Sequence, residues 1–309
     1  MVEEGRQGPS RNPIAAIDCG TNTIKLLIGA LPGVAARESR MVRLGQDVDR
    51  TGRLSDEALR RAFAAIDEYA ELVDRHAVER IRFCATSATR DATNADEFSD
   101  GVFARLGVRP EVLSGAEEAA LAFDGAVRNL AAAPAGQVLV VDIGGGSTEL
   151  ILGRRAPETA HSMDVGSVRL HERHLHTDPP TPVEIRACVA DIDAALDACP
   201  VAAGDASTVV GIAGTVTTVA AGVLDLPAYA REVIDQQVLD VAAVHTMVDR
   251  LVAMPVAERL ALPYMHPGRA DVIDAGALIL SRVLRRTTVD SLVVSESDIL
   301  DGIAWSITP

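Results

Sequence analysis

Apolar and polar residues follow two periods along this chain, and the change of period marks out its elements. Short apolar runs bounded by Gly, Asn or Asp read as strands: IAAID at 14–18, TIKLLIGA directly after it, ERIRFCAT at 79–86, VLVVD at 138–142 and TELILG at 148–153. Segments with apolar residues every three or four positions read as helices: 55–75, 95–106, 115–130, 183–198, 238–253, 255–261 and 269–286. Ser55 with Asp56 and Glu57 opens the first of these, and Gly107 closes the second. Shorter strands fall at 109–113, near 159–165, at 207–213 and at 290–294; a helix begins near 215 and a last one covers 298–306. Strands alternating with helices place the chain in the α/β class.

The pattern contains an internal repeat. A strand, a tight polar turn and a second strand occur twice, 124 residues apart, each reading Asp-x-Gly, two residues, then Thr or Ser. The first copy is Asp18, Gly20, Thr23; the second is Asp142, Gly144, Ser147. A single repeat at that distance implies two similar domains, for which 309 residues leave room. The expected division is 1–125 and 126–295, with the terminal helical segment, about 296–309, packing back on the first domain.

Composition narrows the partners. The net charge of −15 excludes a general binder of nucleic-acid polymers, which would carry a basic footprint. It leaves room for a small polyanion in a locally basic cleft, because exposed charges are screened beyond about 8 Å. Lys25 is the only lysine; every other basic side chain is arginine. Cys19, Cys84, Cys188 and Cys199 show no paired spacing, which fits a reduced, intracellular setting. MVEEGRQGPSRNP has no apolar core of the signal-peptide kind. ASTVVGIAGTVTTVAAGVL at 206–224 is uncharged, but its glycines and threonines point to strand, loop and helix and away from a membrane span.

The turns carry the candidate chemistry. Glycine lets backbone N–H groups approach a ligand closely, and successive N–H groups form a concavity for an anion, most commonly phosphate. VVDIGGGSTEL lacks the spacing of a dinucleotide fingerprint and runs into a strand; no Gly-Lys-Ser/Thr of a P-loop follows. Asp142 and Glu149 bracket its glycines. Two carboxylates would repel a phosphate unless a hard cation lay between them, so both read as magnesium anchors, with Asp18 facing them from the other domain. In VVGIAGTVTTVA a strand meets a helix at Gly211, Gly214 and Thr215, where a phosphate or simply close packing could use the glycines. Ser114 with Glu117 fits a capping box, and spacing does not separate a structural Glu117 from a general base. Arg90, in ATSATRDATN, reads equally as a phosphate ligand or a surface arginine. His171, His174 and His176 in HERHLH lack further ligands and read as a solvated linker.

Taken in order from residue 14 to about 302, AIDCGTNTIKLLI, ATSATRDATN, SGAEEA, VVDIGGGSTEL, GIAGTVTT and PGRADVIDAGALIL resemble the exopolyphosphatase / guanosine pentaphosphate phosphohydrolase family of the actin–hexokinase–Hsp70 superfamily. The resemblance implies two ribonuclease-H-like (actin-like ATPase) domains facing across a cleft. It implies Mg²⁺-dependent hydrolysis (Mn²⁺ the alternative ion) of the terminal phosphate of inorganic polyphosphate, or of the 5′-γ-phosphate of guanosine pentaphosphate. Its catalytic glutamate maps to Glu117, with Glu118 beside it as the other candidate. Its metal carboxylates map to Asp142 and Glu149. Its phosphate loops map to Gly20, Thr21, Asn22 and Thr23, to Gly144, Gly145, Gly146, Ser147 and Thr148, and to Gly214 and Thr215. Its polyphosphate-contacting arginine maps to Arg90, and Lys25 stands where relatives usually carry Arg or another residue. A cytoplasmic homodimer acting in the stringent response is the implied setting. The further helical region of long members has no counterpart before Pro309, which implies short-chain polyphosphate. A polyphosphate or nucleotide sensor without turnover is the alternative of another class.

Overall fold

The computed structural model describes residues 13–130, 134 and 136–308, so the polar stretch at 1–12 lies outside the described residues. Two sheets organise the chain. The first contains β1 (Ile14–Cys19), β2 (Thr23–Ala30), β3 (Gly33–Met41), β4 (Arg80–Ala85) and β5 (Glu111–Val112), in the order β3-β2-β1-β4-β5. The second contains β6 (Val138–Ile143), β7 (Thr148–Gly153), β8 (Pro157–Met163), β9 (Thr208–Ile212), β10 (Val238–Asp240) and β11 (Ser291–Val294), in the order β10-β11-β9-β6-β7-β8. Each sheet is an antiparallel meander whose first strand continues into parallel neighbours; the second adds β10 antiparallel at its edge. This is one ribonuclease-H-like lobe built twice, as the repeat implied.

The central strands are buried on both faces, every residue of β1, β6 and β7 included, which is why they read as continuous apolar runs. β3 has no such signal, because GVAARESRM lies at the sheet edge and is exposed or half-buried throughout. Helix boundaries follow local chemistry. Ser55 caps Asp56–Arg75 by accepting from Ala58 N–H, and Gly107, at φ 69, ends Ala95–Leu106. HERHLH corrects the linker expectation: His171 to His174 end the helix Ser167–His174, and His174 Nε2 lies 2.8 Å from Asp191. Residues 238–240, expected in a helix, pair with β11 as β10 before the helix Val241–Ala253 begins. The uncharged stretch at 206–224 becomes β9 and the helix Ala213–Val223; no helix among the described residues is long and apolar enough to cross a membrane.

The lobes exchange helices. The helix Gly115–Arg128 packs on β7 and β8 of the second sheet, although it precedes that sheet in sequence. The last helix, Ile299–Ser306, returns to pack on β1 and β2 of the first sheet and on Gly115–Arg128. Their shared core joins Ile14, Ala16 and Leu27 to Val138, Val140 and Ile151 through Phe123, Leu300 and Ile303. A division of the chain at residue 125 therefore cuts through an element that serves the second sheet.

Candidate active site

Between the lobes lies a cleft of about 770 Å³. Both repeated hairpins open into it, and they close by the same bond: Gly20 N–H donates to Thr23 O, and Gly144 N–H to Ser147 O, each at 3.0 Å. Gly20 and Gly144 thus spend their N–H groups on the turn. The N–H groups that follow them in the turns, on Thr21, Asn22, Gly145, Gly146 and Ser147, have no hydrogen-bond partner among the described residues. The turns touch across the cleft. A Cβ on Gly146 would lie 2.6 Å from Thr21 Oγ1 and 2.7 Å from Ser87 Oγ, so glycine is what permits the approach. Thr21 Oγ1 and Ser87 Oγ are themselves 2.8 Å apart in a buried hydrogen bond.

The register makes the two hairpins chemically different. Asp18 faces Lys25 across β1–β2, whereas Asp142 faces Glu149 across β6–β7. Lys25 Nζ lies 3.4 Å from Asp18 and 2.7 Å from Asp298, so the first hairpin carries its own counter-charge. Burial disfavours the Lys25 charge, but Asp298 and Asp18 outweigh it and raise its pKa. Asp18 is pushed up to about 6 by burial, with Lys25 pulling back. In the second hairpin burial raises Asp142 to about 8 and Glu149 well above its ordinary range, with neighbouring carboxylates, Glu118 among them, adding to both. Two opposed, buried carboxylates are unfavourable without a cation. Their oxygen chemistry fits Mg²⁺, which needs only one or two carboxylates because phosphate oxygens and waters complete its shell. Among the described residues no three or more Asp, Glu, His or Cys side chains are grouped so as to hold a metal ion, so Asp18 does not join Asp142 and Glu149 in a three-carboxylate set.

The exchanged helix Gly115–Arg128 brings a further carboxylate. Of its two glutamates, Glu117 is exposed and closes the capping box: its Oε2 accepts from Ser114 N–H at 2.9 Å and Ser114 Oγ–H at 2.7 Å. These bonds hold its carboxyl below the usual range, and it does not line the cleft. Glu118 is buried, lines the cleft, and accepts from Arg90 Nη1 at 3.1 Å. Burial pushes it up to about 7, against the pull of Arg90. Helical spacing explains the division: successive residues point about 100° apart, so only one of the two can face inward.

Other expected residues also sort by geometry. Arg90 does not line the cleft; its Nη1 is turned onto Glu118 and Leu113 O. Thr148 is fully buried, donates to Val165 O at 2.7 Å and is likewise absent from the cleft lining. Asn22, Thr23, Gly214 and Thr215 do line it, and Asn22 Oδ1 is buried without a partner. Thr215 lies in the first turn of Ala213–Val223, whose leading N–H groups have no intrahelical acceptor. Ala213, at φ 64, holds the left-handed bend that aims that turn.

Sequence reasoning passed over four cleft residues. Arg37 pairs with Asp301, and Arg231 lies 3.5 Å from Glu296. Arg269 packs against Gly214 and donates to Thr218 Oγ1 at 2.6 Å; burial lowers its pKa. Asp298 caps the last helix through Leu300 N–H while binding Lys25. The Asp298-to-Asp301 capping box was visible as a pattern, but nothing local tells that it ends at the cleft.

Two duplicated lobes, free N–H turns meeting across a cleft and a dicarboxylate beside them define a phosphate-handling protein of the two-lobed ribonuclease-H-like class. Comparison with known proteins is more specific. A model of the Ppx/GppA phosphatase family matches residues 28–309, and the chain belongs to that family. It is 47% identical to Exopolyphosphatase 2 of Mycobacterium tuberculosis over 315 residues, spanning 95% of this chain and 98% of the relative. A guanosine-5′-triphosphate,3′-diphosphate pyrophosphatase of Vibrio atlanticus is 29% identical over 95% of this chain and 59% of its own length. The crystal structure of an exopolyphosphatase-like protein superposes with a TM-score of 0.91 at 43% identity, covering 96% of this chain and 98% of the other.

Proposed function

We propose that this protein is an exopolyphosphatase that removes the terminal phosphate of inorganic polyphosphate, preferring short chains, with water and Mg²⁺ (Mn²⁺ as a substitute). One observation carries the reading: in a single cleft, unpartnered turn N–H groups, the opposed Asp142–Glu149 pair and the buried Glu118 converge. The 47% identity to an exopolyphosphatase over nearly the whole chain supports the substrate class.

The N–H groups of Thr21, Asn22, Gly145 and Ser147 hold oxygens of the terminal phosphoryl group. Asp142 and Glu149 would hold the metal, which supplies charge neutralisation on the transferred group and the leaving chain. Phosphoryl transfer depends mainly on such positioning and electrostatics. Glu118 takes the proton of the attacking water, and Arg90 fixes the carboxylate that does so. The new bond joins water oxygen to the terminal phosphorus; the bond to the bridging oxygen breaks, giving orthophosphate and a chain one unit shorter. Glu117 keeps the helix start and takes no part.

A second reading, 5′-γ-phosphate removal from guanosine pentaphosphate, is favoured by one feature: the wall formed by Pro263, Tyr264, Met265 and Pro267 has no use for a bare polyphosphate. The test is phosphate release from polyphosphates of several lengths, guanosine pentaphosphate and ATP, with and without Mg²⁺. Release that is fastest on short polyphosphate and lost in chelator is expected. Faster release from guanosine pentaphosphate would select the second reading, and binding without release would reject both in favour of a sensor.

A further inference from the structure

Arg169 lies outside the cleft lining, yet its guanidinium is fully engaged where the lobes meet. Its Nε donates to Gly146 O at 2.7 Å, its Nη1 to Asp49 and its Nη2 to Asp91, both at 2.5 Å, and the side chain is only 13% exposed. Gly146 and Arg169 belong to the second lobe; Asp49 and Asp91 belong to the first. Beside it, Arg173 pairs with Asp49 at 3.0 Å, and Glu172 accepts from Asp47 N–H at 3.1 Å. Asp91 directly follows Arg90, which holds Glu118.

The bond to Gly146 O acts on the neighbouring turn. The carbonyl of Gly146 and the N–H of Ser147 share one planar peptide, and in the trans form they point in opposite directions. That peptide is trans, the cis bonds among the described residues being Leu31–Pro32 and Asp178–Pro179. Holding the carbonyl toward Arg169 therefore turns the Ser147 N–H away from it, and Ser147 lines the cleft whereas Gly146 does not.

We propose that Arg169 is a positioning residue with two separable effects: it aims the Ser147 N–H at the transferred phosphoryl group, and it clamps the lobes shut through Asp49 and Asp91. The proposal rests on the exopolyphosphatase reading for its substrate. Arg169 never touches that substrate; it acts through the Gly146–Ser147 peptide and through the position of the first lobe. Its forked, planar guanidinium is required, because three differently directed acceptors are served at once.

The experiment compares wild type, R169A, R169K and the double variant D49N/D91N, all in the full chain, on tripolyphosphate with Mg²⁺. The kcat and KM are read separately, with radius of gyration from small-angle scattering. For R169A a kcat at least tenfold lower and a larger radius are expected, and millimolar guanidinium ion restores part of the kcat. R169K, the variant to use should R169A fail to fold, also loses kcat. D49N/D91N keeps the turn bond, so KM rises at least threefold while kcat stays within threefold. A kcat within threefold of wild type in both folded Arg169 variants overturns the proposal. So does a loss of kcat that guanidinium cannot restore and that matches D49N/D91N, since Arg169 is then only an interface residue. A wild type that releases no phosphate overturns the functional reading instead. Calorimetric binding of tripolyphosphate and the radius of gyration then decide for Arg169: a variant unchanged in both counts against it.

Discussion

Glu117 and Glu118 are adjacent and chemically identical, and their surroundings assign them opposite work. Glu117 accepts two bonds from Ser114 in water, so it stays ionised and serves the helix start. Glu118 is buried beside Asp142 and Glu149 and is raised to about 7. A base must be deprotonated, so turnover should rise with pH through the neighbourhood of 7 and level off above it. Glu118→Gln is expected to lower kcat by roughly 10²–10⁴-fold, the usual contribution of a general base, while calorimetry still detects tripolyphosphate binding. Glu117→Gln should keep kcat within threefold and leave the thermal midpoint little changed, because a glutamine at that position still accepts from Ser114 N–H and completes the capping box. The opposite pattern of rates would return the base to Glu117. Sequence spacing left these two open, because a capping box reads the same whether or not its neighbour faces a cleft. Arg90 shows the same limit: its place among hydroxyl residues was legible, but its acceptor, Glu118, stands 28 residues away.

At the scale of the hairpin, one substitution within a repeated device changes what it can bind. Position Lys25 in the first hairpin corresponds to Glu149 in the second, so the first is neutralised internally and the second is left anionic. Both were readable from the repeat once register was known, since each partner lies seven residues after its aspartate. The folded second hairpin holds a proton on Asp142 up to about pH 8, whereas the unfolded chain gives it up near the ordinary value of 3.8. The folded state therefore binds more protons over this window, and stability falls as pH rises through it. Without divalent ions the thermal midpoint should drop between pH 6 and 8, on the order of 2–4 °C per pH unit. Mg²⁺ should raise the midpoint at pH 8 by binding the folded state alone. Asp142→Asn should flatten the pH dependence and remove most of the Mg²⁺ response; calorimetric scans in which the variant keeps both would take Asp142 out of the metal site.

The whole molecule is held together by an exchange. Gly115–Arg128 reaches the second sheet and Ile299–Ser306 returns to the first, so the two helices and both sheets bury one apolar core between them. Neither lobe can unfold without exposing part of that core. Heating should give a single transition with matching calorimetric and van't Hoff enthalpies, and two resolved transitions would show that the lobes are independent. The same exchange places function. Glu118 belongs by sequence to the first half, and it meets Asp142 and Glu149 only because its helix crosses over. Asp298, from the end of the chain, meets Lys25 near its beginning for the same reason.

By itself the sequence determined what is local: most strands and helices, their caps, the duplicated turn, and the motifs that carry the family resemblance. Each of these depends on periodicity or on bonds within a few residues, such as Gly20 N–H to Thr23 O or Ser114 to Glu117. Only the tertiary structure decided which glutamate enters the cleft, where Arg90 points, and which cations are already paired. It also revealed the bond from Arg169 to a glycine carbonyl and to the facing lobe. Those outcomes depend on burial and on charges brought together from distant positions, and desolvation acts only once the chain has closed around them.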